Sequence, residues 1–380
     1  MTENPTISPT RLTEYMYTKA GRMGVPIGGT FELSPVCNFA CRMCYVRKTA
    51  KEVAESQRPI LTLDDWLRIA QEAREQGMLY LLLTGGEPFL WPHFWELYEE
   101  LVKMGFLVSI NTNGSLIDDK AVERLKRLPP RRVNITLYGA SDETYEALCQ
   151  TKGVFTRVTH AVESLQKAGI LVKLNGTITP DNVCDLDFLI DYAKDRGLIL
   201  ETTTYLFPPV RRDPSMTGVN RRFTPEEAAR YQMHIFRRQN GEERYQAYLE
   251  AITKGSIPPP GLDESCIDPV DGKVRCRAGR ASFWVTWDGW LTPCGMMTQP
   301  RVELTGQSFG DAWQQLREEM ARAALSGVCA KCPDLELCHA CAAMAQTETG
   351  SISGIPVYLC QIVREMRRIA QTELEKGSLV

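Results

Sequence analysis

Cys37, Cys41 and Cys44 stand in the run SPVCNFACRMCYVRK, a Cys-x3-Cys-x2-Cys spacing, and eight more cysteines crowd between Cys266 and Cys360. Of the thirteen cysteines only Cys149 and Cys184 lie apart from these groups, and both read as ordinary buried thiols. The first 24 residues lack the apolar core of a signal peptide, and no run approaches the length of a membrane span. A cytoplasmic chain is therefore expected, and there the thiols stay reduced and act as metal ligands rather than disulfides. A 4Fe–4S cluster held by three thiolates leaves one iron open to an outside ligand. A structural zinc loop lacking its fourth ligand is the competing reading of the first triad.

The later cysteines read Cys266-x9-Cys276-x17-Cys294, then Cys329-x2-Cys332-x5-Cys338-x2-Cys341, then Cys360. Eight thiolates satisfy two four-ligand sites, which spacing alone allows to be zinc or iron–sulfur. His339 could replace one ligand but reads more simply as a loop residue. Trp284, Trp287 and Trp290 read as packing for this segment. Arg211/Arg212 and Arg221/Arg222 read as solvated surface, with docking of an acidic peptide as the alternative. A formal charge of −3 gives no reason to expect a nucleic-acid partner.

The elements that must position these groups are legible as a series. Apolar runs predict strands over Thr30–Val36, Met78–Thr84, Phe106–Thr112, Arg132–Tyr138, Ile170–Thr177 and Leu198–Thr204. Helical spacing fills Leu63–Gln76, Pro92–Met104, Asp118–Leu128, Phe155–Ala168 and Leu186–Arg196. Thr62, Asp118 and Ser141 sit where N-caps belong, and Gly77, Gly105, Gly169 and Gly197 follow helices as stops. Repeated strand–helix units predict an α/β fold, a partial (β/α)6 TIM-like barrel, with chemistry at the C-terminal ends of its strands. A second motif, LLTGGEP at Leu82–Pro88, falls at such an end. Gly85 and Gly86 permit close backbone approach to a ligand, and Glu87 offers a negative charge to an ammonium group.

The expected organisation is an N-terminal extension over 1–27, the barrel over 28–207, a linker with a helix near Pro225–Asn240 over 208–262, a small cysteine-rich α+β domain over 263–362, and a closing helix over 363–380. The triple proline Pro258–Pro260 marks the second boundary.

The triad and the GGEP motif together resemble the radical S-adenosylmethionine (radical SAM) superfamily. That resemblance covers about residues 28–205 and implies that Cys37, Cys41 and Cys44 hold a 4Fe–4S cluster, whose open iron takes the amine and carboxylate of S-adenosylmethionine. It further implies that Gly85, Gly86 and Glu87 contact the methionyl amine and that Met43 lies near the adenine, with Asn111, Asn113 and Thr136 as candidate ribose or carboxylate contacts. Reductive cleavage would give a 5′-deoxyadenosyl radical that abstracts hydrogen, with a flavodoxin or ferredoxin as electron donor.

The C-terminal spacings, with Gly289 in WDGWLTPC before Cys294, resemble the SPASM domain of that superfamily, although the x2 spacing between Cys338 and Cys341 is one residue shorter than usual. The resemblance implies two auxiliary 4Fe–4S clusters, one on Cys266, Cys276, Cys294 and Cys341 and one on Cys329, Cys332, Cys338 and Cys360. Its implied activity is hydrogen abstraction from a ribosomally made peptide. A small-molecule oxidoreductase of alcohol, tetrapyrrole or cofactor chemistry is the alternative, followed by a non-catalytic metal-binding module. Gly295 after Cys294, where sulfatase-activating relatives carry an aspartate, argues against that branch. No N-terminal winged-helix domain for holding a leader is expected from these residues, which weakens the peptide reading somewhat, and the sequence does not name a general base.

Overall fold

The computed structural model describes residues 9–255, 274, 276–338 and 341–377. Helix α1 (Pro9–Met23) leads into strand β1 (Gly28–Glu32), and the loop carrying the first triad follows, with the short α2 (Ala50–Glu55). Strand–helix units then alternate through α3 (Leu63–Glu75), β2 (Tyr80–Thr84), α4 (Phe94–Lys103), β3 (Leu107–Thr112), α5 (Asp119–Arg127) and β4 (Arg132–Thr136). After β4 come α6 (Asp142–Cys149), α7 (Phe155–Lys167), β5 (Val172–Thr177), α8 (Leu186–Asp195) and β6 (Ile199–Thr203). Each of the six strands pairs in parallel with its sequence neighbour.

Local chemistry sets these boundaries. Thr62 caps α3 in a reciprocal capping box with Asp65, and Asp118 and Ser141 cap α5 and α6 through their side-chain oxygens. Gly77 turns the chain out of α3 at φ +98°, where a side chain would be strained. The fully buried Phe31, Leu83, Ile110, Ile135 and Leu174 project to the helix side of the sheet, into one core with Trp66, Leu97, Val162 and Leu165. The alternate positions form an unusually polar inner face. In register, Glu32 stands beside Thr84, Asn111 beside Asn134, and Asn134 beside Lys173.

Past β6, α9 (Pro225–Asn240) and α10 (Glu242–Lys254) form a pair that packs with the last helix, α15 (Val357–Gly377). The strands of the cysteine-rich segment do not make a separate sheet. β7 (Ser282–Val285) pairs in parallel with β1, and β8 (Trp290–Thr292) and β9 (Val302–Glu303) add antiparallel to it, so one nine-stranded sheet runs β6-β5-β4-β3-β2-β1-β7-β8-β9. Helices α11 (Phe309–Arg322), α12 (Gly327–Ala330), α13 (Leu335–Cys338) and α14 (Ala342–Thr349) complete the segment. No helix among the described residues is long and apolar enough to cross a membrane.

Two surface expectations are corrected. Arg211 and Arg222 are not solvated: Arg211 is paired with Glu32, and Arg222 with Glu348, which also accepts from the Tyr205 hydroxyl at 2.7 Å. Their companions Arg212 and Arg221 are exposed, as expected of surface arginines. Cys184 is exposed rather than buried, because it sits in the single 3-10 turn that precedes α8. Cys149 is fully buried.

Candidate functional site

The loop after β1 and the loop after β2 are laced together at the C-terminal edge of the sheet. Gly86 N–H donates to the Ser34 carbonyl at 2.7 Å, and Glu87 N–H to the Val36 carbonyl at 3.0 Å. A Cβ on Gly85 would lie 2.5 Å from the Ser34 carbonyl oxygen, and one on Gly86 would lie 2.4 Å from that of Val36. The sequence reading gave the glycine pair to a ligand. In the structure the missing side chains let the two loops touch, which brings Glu87 within reach of the triad.

Glu87 is fully buried and takes three donors: the Thr112 hydroxyl at 2.8 Å, Asn113 N–H at 2.8 Å and Phe89 N–H at 3.2 Å. Among the described residues no Lys, Arg or His pairs with it. Burial pushes its carboxyl up to about 7 from an ordinary 4.5, against the lowering effect of those hydrogen bonds. An uncompensated buried carboxylate of this kind suits a cationic ligand.

The three triad thiols lie within electrostatic range of one another, and Cys37 is also in range of Glu87. Burial pushes Cys37 up to about 12 and raises Cys44. Backbone N–H groups already aim at two of the sulfurs, Phe39 at Cys37 (3.4 Å) and Arg47 at Cys44 (3.3 Å). Such donors stabilise a thiolate, so the local backbone fits sulfur bound to metal. Cys149, read from sequence as an isolated thiol, stands against the triad. Its backbone carbonyl accepts from Ala40 at 2.9 Å, and its thiol lies near enough to Cys41 to hold Cys41 low while Cys149 itself is raised.

The remaining candidates divide. Asn113 uses its whole side chain within the protein: Nδ2 donates to Asn38 at 2.9 Å, and Oδ1 accepts from Ser115 N–H and Oγ at 2.9 and 2.7 Å. It is a strut between the triad loop and the loop after β3. The signal was the run NTNGS, polar residues that hydrogen-bond their own backbone two positions on. Asn111 accepts from Asn134 Nδ2 at 2.6 Å on the inner face. Thr136 is half-buried at the end of β4, and Met43 is half-buried against the core. Thr112, Asn38 and Ser115 were not singled out from the sequence, yet they hold Glu87 and the triad loop together.

Two further thiol groups form in the C-terminal segment. Cys276, Cys294 and Cys341 gather around Val274, Met297, Met320, Ala342 and Ala343. Burial pushes Cys276 up to about 11 and Cys341 to about 12. Met296 N–H donates to Cys294 at 3.5 Å, and Met344 N–H to Cys341 at 3.4 Å at the start of α14. Cys329, Cys332 and Cys360 form the other group, with Cys360 in the first turn of α15. Cys338 ends α13, which packs on α15. Cys266 and His339 lie outside the described residues. None of these groups closes tightly enough, among the described residues, to share one metal ion.

A six-stranded parallel sheet with a thiol triad and a buried acid at its C-terminal edge defines the radical SAM class, and residues 31–193 match the model of the Radical SAM superfamily. Residues 31–193 thus form a Radical SAM domain, and the chain continues past it into a C-terminal extension. It is 25% identical over 331 residues to an AdoMet-dependent heme synthase of Methanosarcina barkeri, covering 84% of this chain and 92% of that one. It is 26% identical over 341 residues to the mycofactocin maturase MftC of Mycobacterium tuberculosis, covering 86% and 81%. Among solved structures, Streptococcus suis SuiB bound to its precursor peptide SuiA shares the fold, with a TM-score of 0.64 at 18% identity over 95% of this chain and 84% of that one.

Proposed function

We propose that this enzyme cleaves S-adenosylmethionine reductively and abstracts hydrogen from a ribosomally synthesised peptide. Cys37, Cys41 and Cys44 hold the 4Fe–4S cluster, and Glu87 receives the methionyl ammonium. The observation that carries the cofactor reading is the buried Glu87 carboxylate, which has hydrogen bonds but, among the described residues, no cationic partner. Bound together, the cluster and S-adenosylmethionine supply one-electron cleavage and a carbon radical strong enough to take hydrogen from an unactivated carbon. The chain's own task is to hold Glu87 and the triad loop in fixed relation, through Asn113, and to keep water from the site.

In the auxiliary segment Cys266, Cys276, Cys294 and Cys341 hold one cluster and Cys329, Cys332, Cys338 and Cys360 the other. The two described thiol groups support this division. Clusters held there would supply a sink for the electron left on a substrate after hydrogen removal, and a flavodoxin or ferredoxin would supply the priming electron.

Glu87 gives this reading a pH signature. Its folded value of about 7 lies above the ordinary 4.5, so the ligand-free folded chain keeps a proton that the unfolded chain has released. Stability of the ligand-free protein therefore falls as pH rises through that window. Ammonium binding needs the carboxylate, so affinity for S-adenosylmethionine is expected to rise about tenfold per pH unit below 7 and flatten above it. Titration calorimetry from pH 5.5 to 8 measures this, and a flat profile would remove Glu87 from the role.

The peptide reading is supported by the maturase relative. Anaerobic co-expression with short open reading frames beside the gene, followed by mass spectrometry, tests it. Loss of two hydrogens from such a peptide is expected. Unchanged peptides beside continuing S-adenosylmethionine cleavage would favour a small-molecule oxidoreductase, the reading that the heme synthase relative supports.

A further inference from the structure

A cavity of about 370 Å³ opens between the end of the triad loop, the connection after β6 and the β8 hairpin. Its wall carries Lys48, four residues beyond Cys44, and Met297, three beyond Cys294, so the chain leaving the first triad and the chain leaving the nearer auxiliary thiols both contribute to it. Four charged side chains line it, and two of them are committed elsewhere. Arg211 is taken by Glu32 at 2.7 Å, and Asp288 by Arg58 at 3.7 Å. That leaves Lys48 and Arg301, neither with a carboxylate partner among the described residues. Arg301 sits over the Trp290 ring, 4.1 Å from its centre, and Arg58 sits 4.8 Å from the centre of the same ring. Stacking holds the Arg301 guanidinium without neutralising it, which leaves its planar fork of donors free for a carboxylate. Buried Trp287 adds an apolar wall beside this charge.

We infer that this cavity is a carboxylate-binding subsite, in which Lys48 and Arg301 anchor an acidic residue of the peptide substrate while the segment next to it reaches the strand ends. The inference rests on the peptide reading for its substrate class, but the carboxylate recognition does not. The cavity's charge excludes a basic segment and gives a purely apolar one no gain from Lys48 and Arg301. Its position makes the anchored acid a ruler: the residue attacked lies at a fixed offset from it.

The test uses the iron-loaded full chain under anaerobic conditions, with acetyl-Glu-Glu-Glu-amide, acetyl-Gln-Gln-Gln-amide and coproporphyrin, a tetracarboxylate macrocycle, titrated by calorimetry. The acidic peptide is expected to bind at least tenfold more tightly than its amide counterpart. Lys48→Gln and Arg301→Gln should each weaken it about tenfold, and Arg301→Lys by less, since charge survives but the fork is lost. Iron content and thermal melting check each variant's fold, and the two positions stand as independent tests. Equal binding of the two peptides and of the macrocycle to wild type, or unchanged affinity for every anion in both Gln variants, would overturn the subsite. Binding of the macrocycle alone, lost in both Gln variants, keeps the subsite and overturns the peptide. Failure of all three probes while neighbouring peptides are still modified overturns the subsite and leaves the peptide reading standing.

Discussion

Cys44→Ala is expected to abolish S-adenosylmethionine cleavage and to lower iron from roughly twelve to roughly eight atoms per chain. Two thiolates cannot hold a cluster with one open iron, and the remaining thiols of the triad are buried, raised or engaged by Cys149. The Arg47 N–H that meets the Cys44 sulfur loses its acceptor at the same time. Iron analysis with anaerobic assay of 5′-deoxyadenosine measures both effects. Cys149 is the specific rival, because it stands against the triad loop and its thiol shifts that of Cys41. Full cleavage in the Cys44 variant, lost again when Cys149→Ala is added, would show that Cys149 serves as the third ligand. The bulk of the chain's iron should survive the single change, since the auxiliary thiols lie on other loops.

Arg211→Met is expected to destabilise the fold by about 3–5 kcal/mol, the penalty for leaving a buried charge unpaired. Glu32 is fully buried, receives both terminal nitrogens of Arg211 at 2.7 and 2.9 Å, and accepts from the Trp284 indole at 3.0 Å. Arg211 also donates to the Gly295 carbonyl at 2.8 Å, one residue past Cys294, and lies over the Tyr45 ring, one residue past Cys44. This one guanidinium therefore joins β1, the triad loop and the nearer auxiliary loop. Paired with Glu32, it is held charged well above its ordinary range. Adding Glu32→Gln to Arg211→Met should recover much of the loss, because the stranded charge is then gone. Denaturant unfolding measures the series. A single variant within about 1 kcal/mol of wild type would mean that water reaches Glu32.

The alternating core was readable because each strand and helix repeats its apolar period within a few residues, and the caps Thr62, Asp118 and Ser141 are local. Helix α10 was missed although Tyr245, Leu249 and Ile252 keep helical spacing, because Gly241 breaks the run just before it. Helix α6 has eight residues, too few for a period to show. The thiol groups were visible as spacings, and Glu87 as a motif. What the sequence hid were partners distant along the chain. Nothing near Arg211 distinguishes it from exposed Arg212, since the difference is Glu32 on another strand. Likewise the glycines of GGEP announced a close approach but not that the neighbour would be Ser34 and Val36.

The pairing of β1 with β7 also bears on how the chain is made. Glu32 and Trp284 meet across 252 residues of sequence, so on the ribosome the first strand waits for its last neighbour. At about 5–20 residues per second that interval is on the order of tens of seconds. During it, one edge of β1 has only unpaired backbone to offer, and an open edge of that kind recruits other chains. The nascent molecule is most exposed to misassembly before its C-terminal third emerges, and the two halves cannot be treated as modules that mature independently.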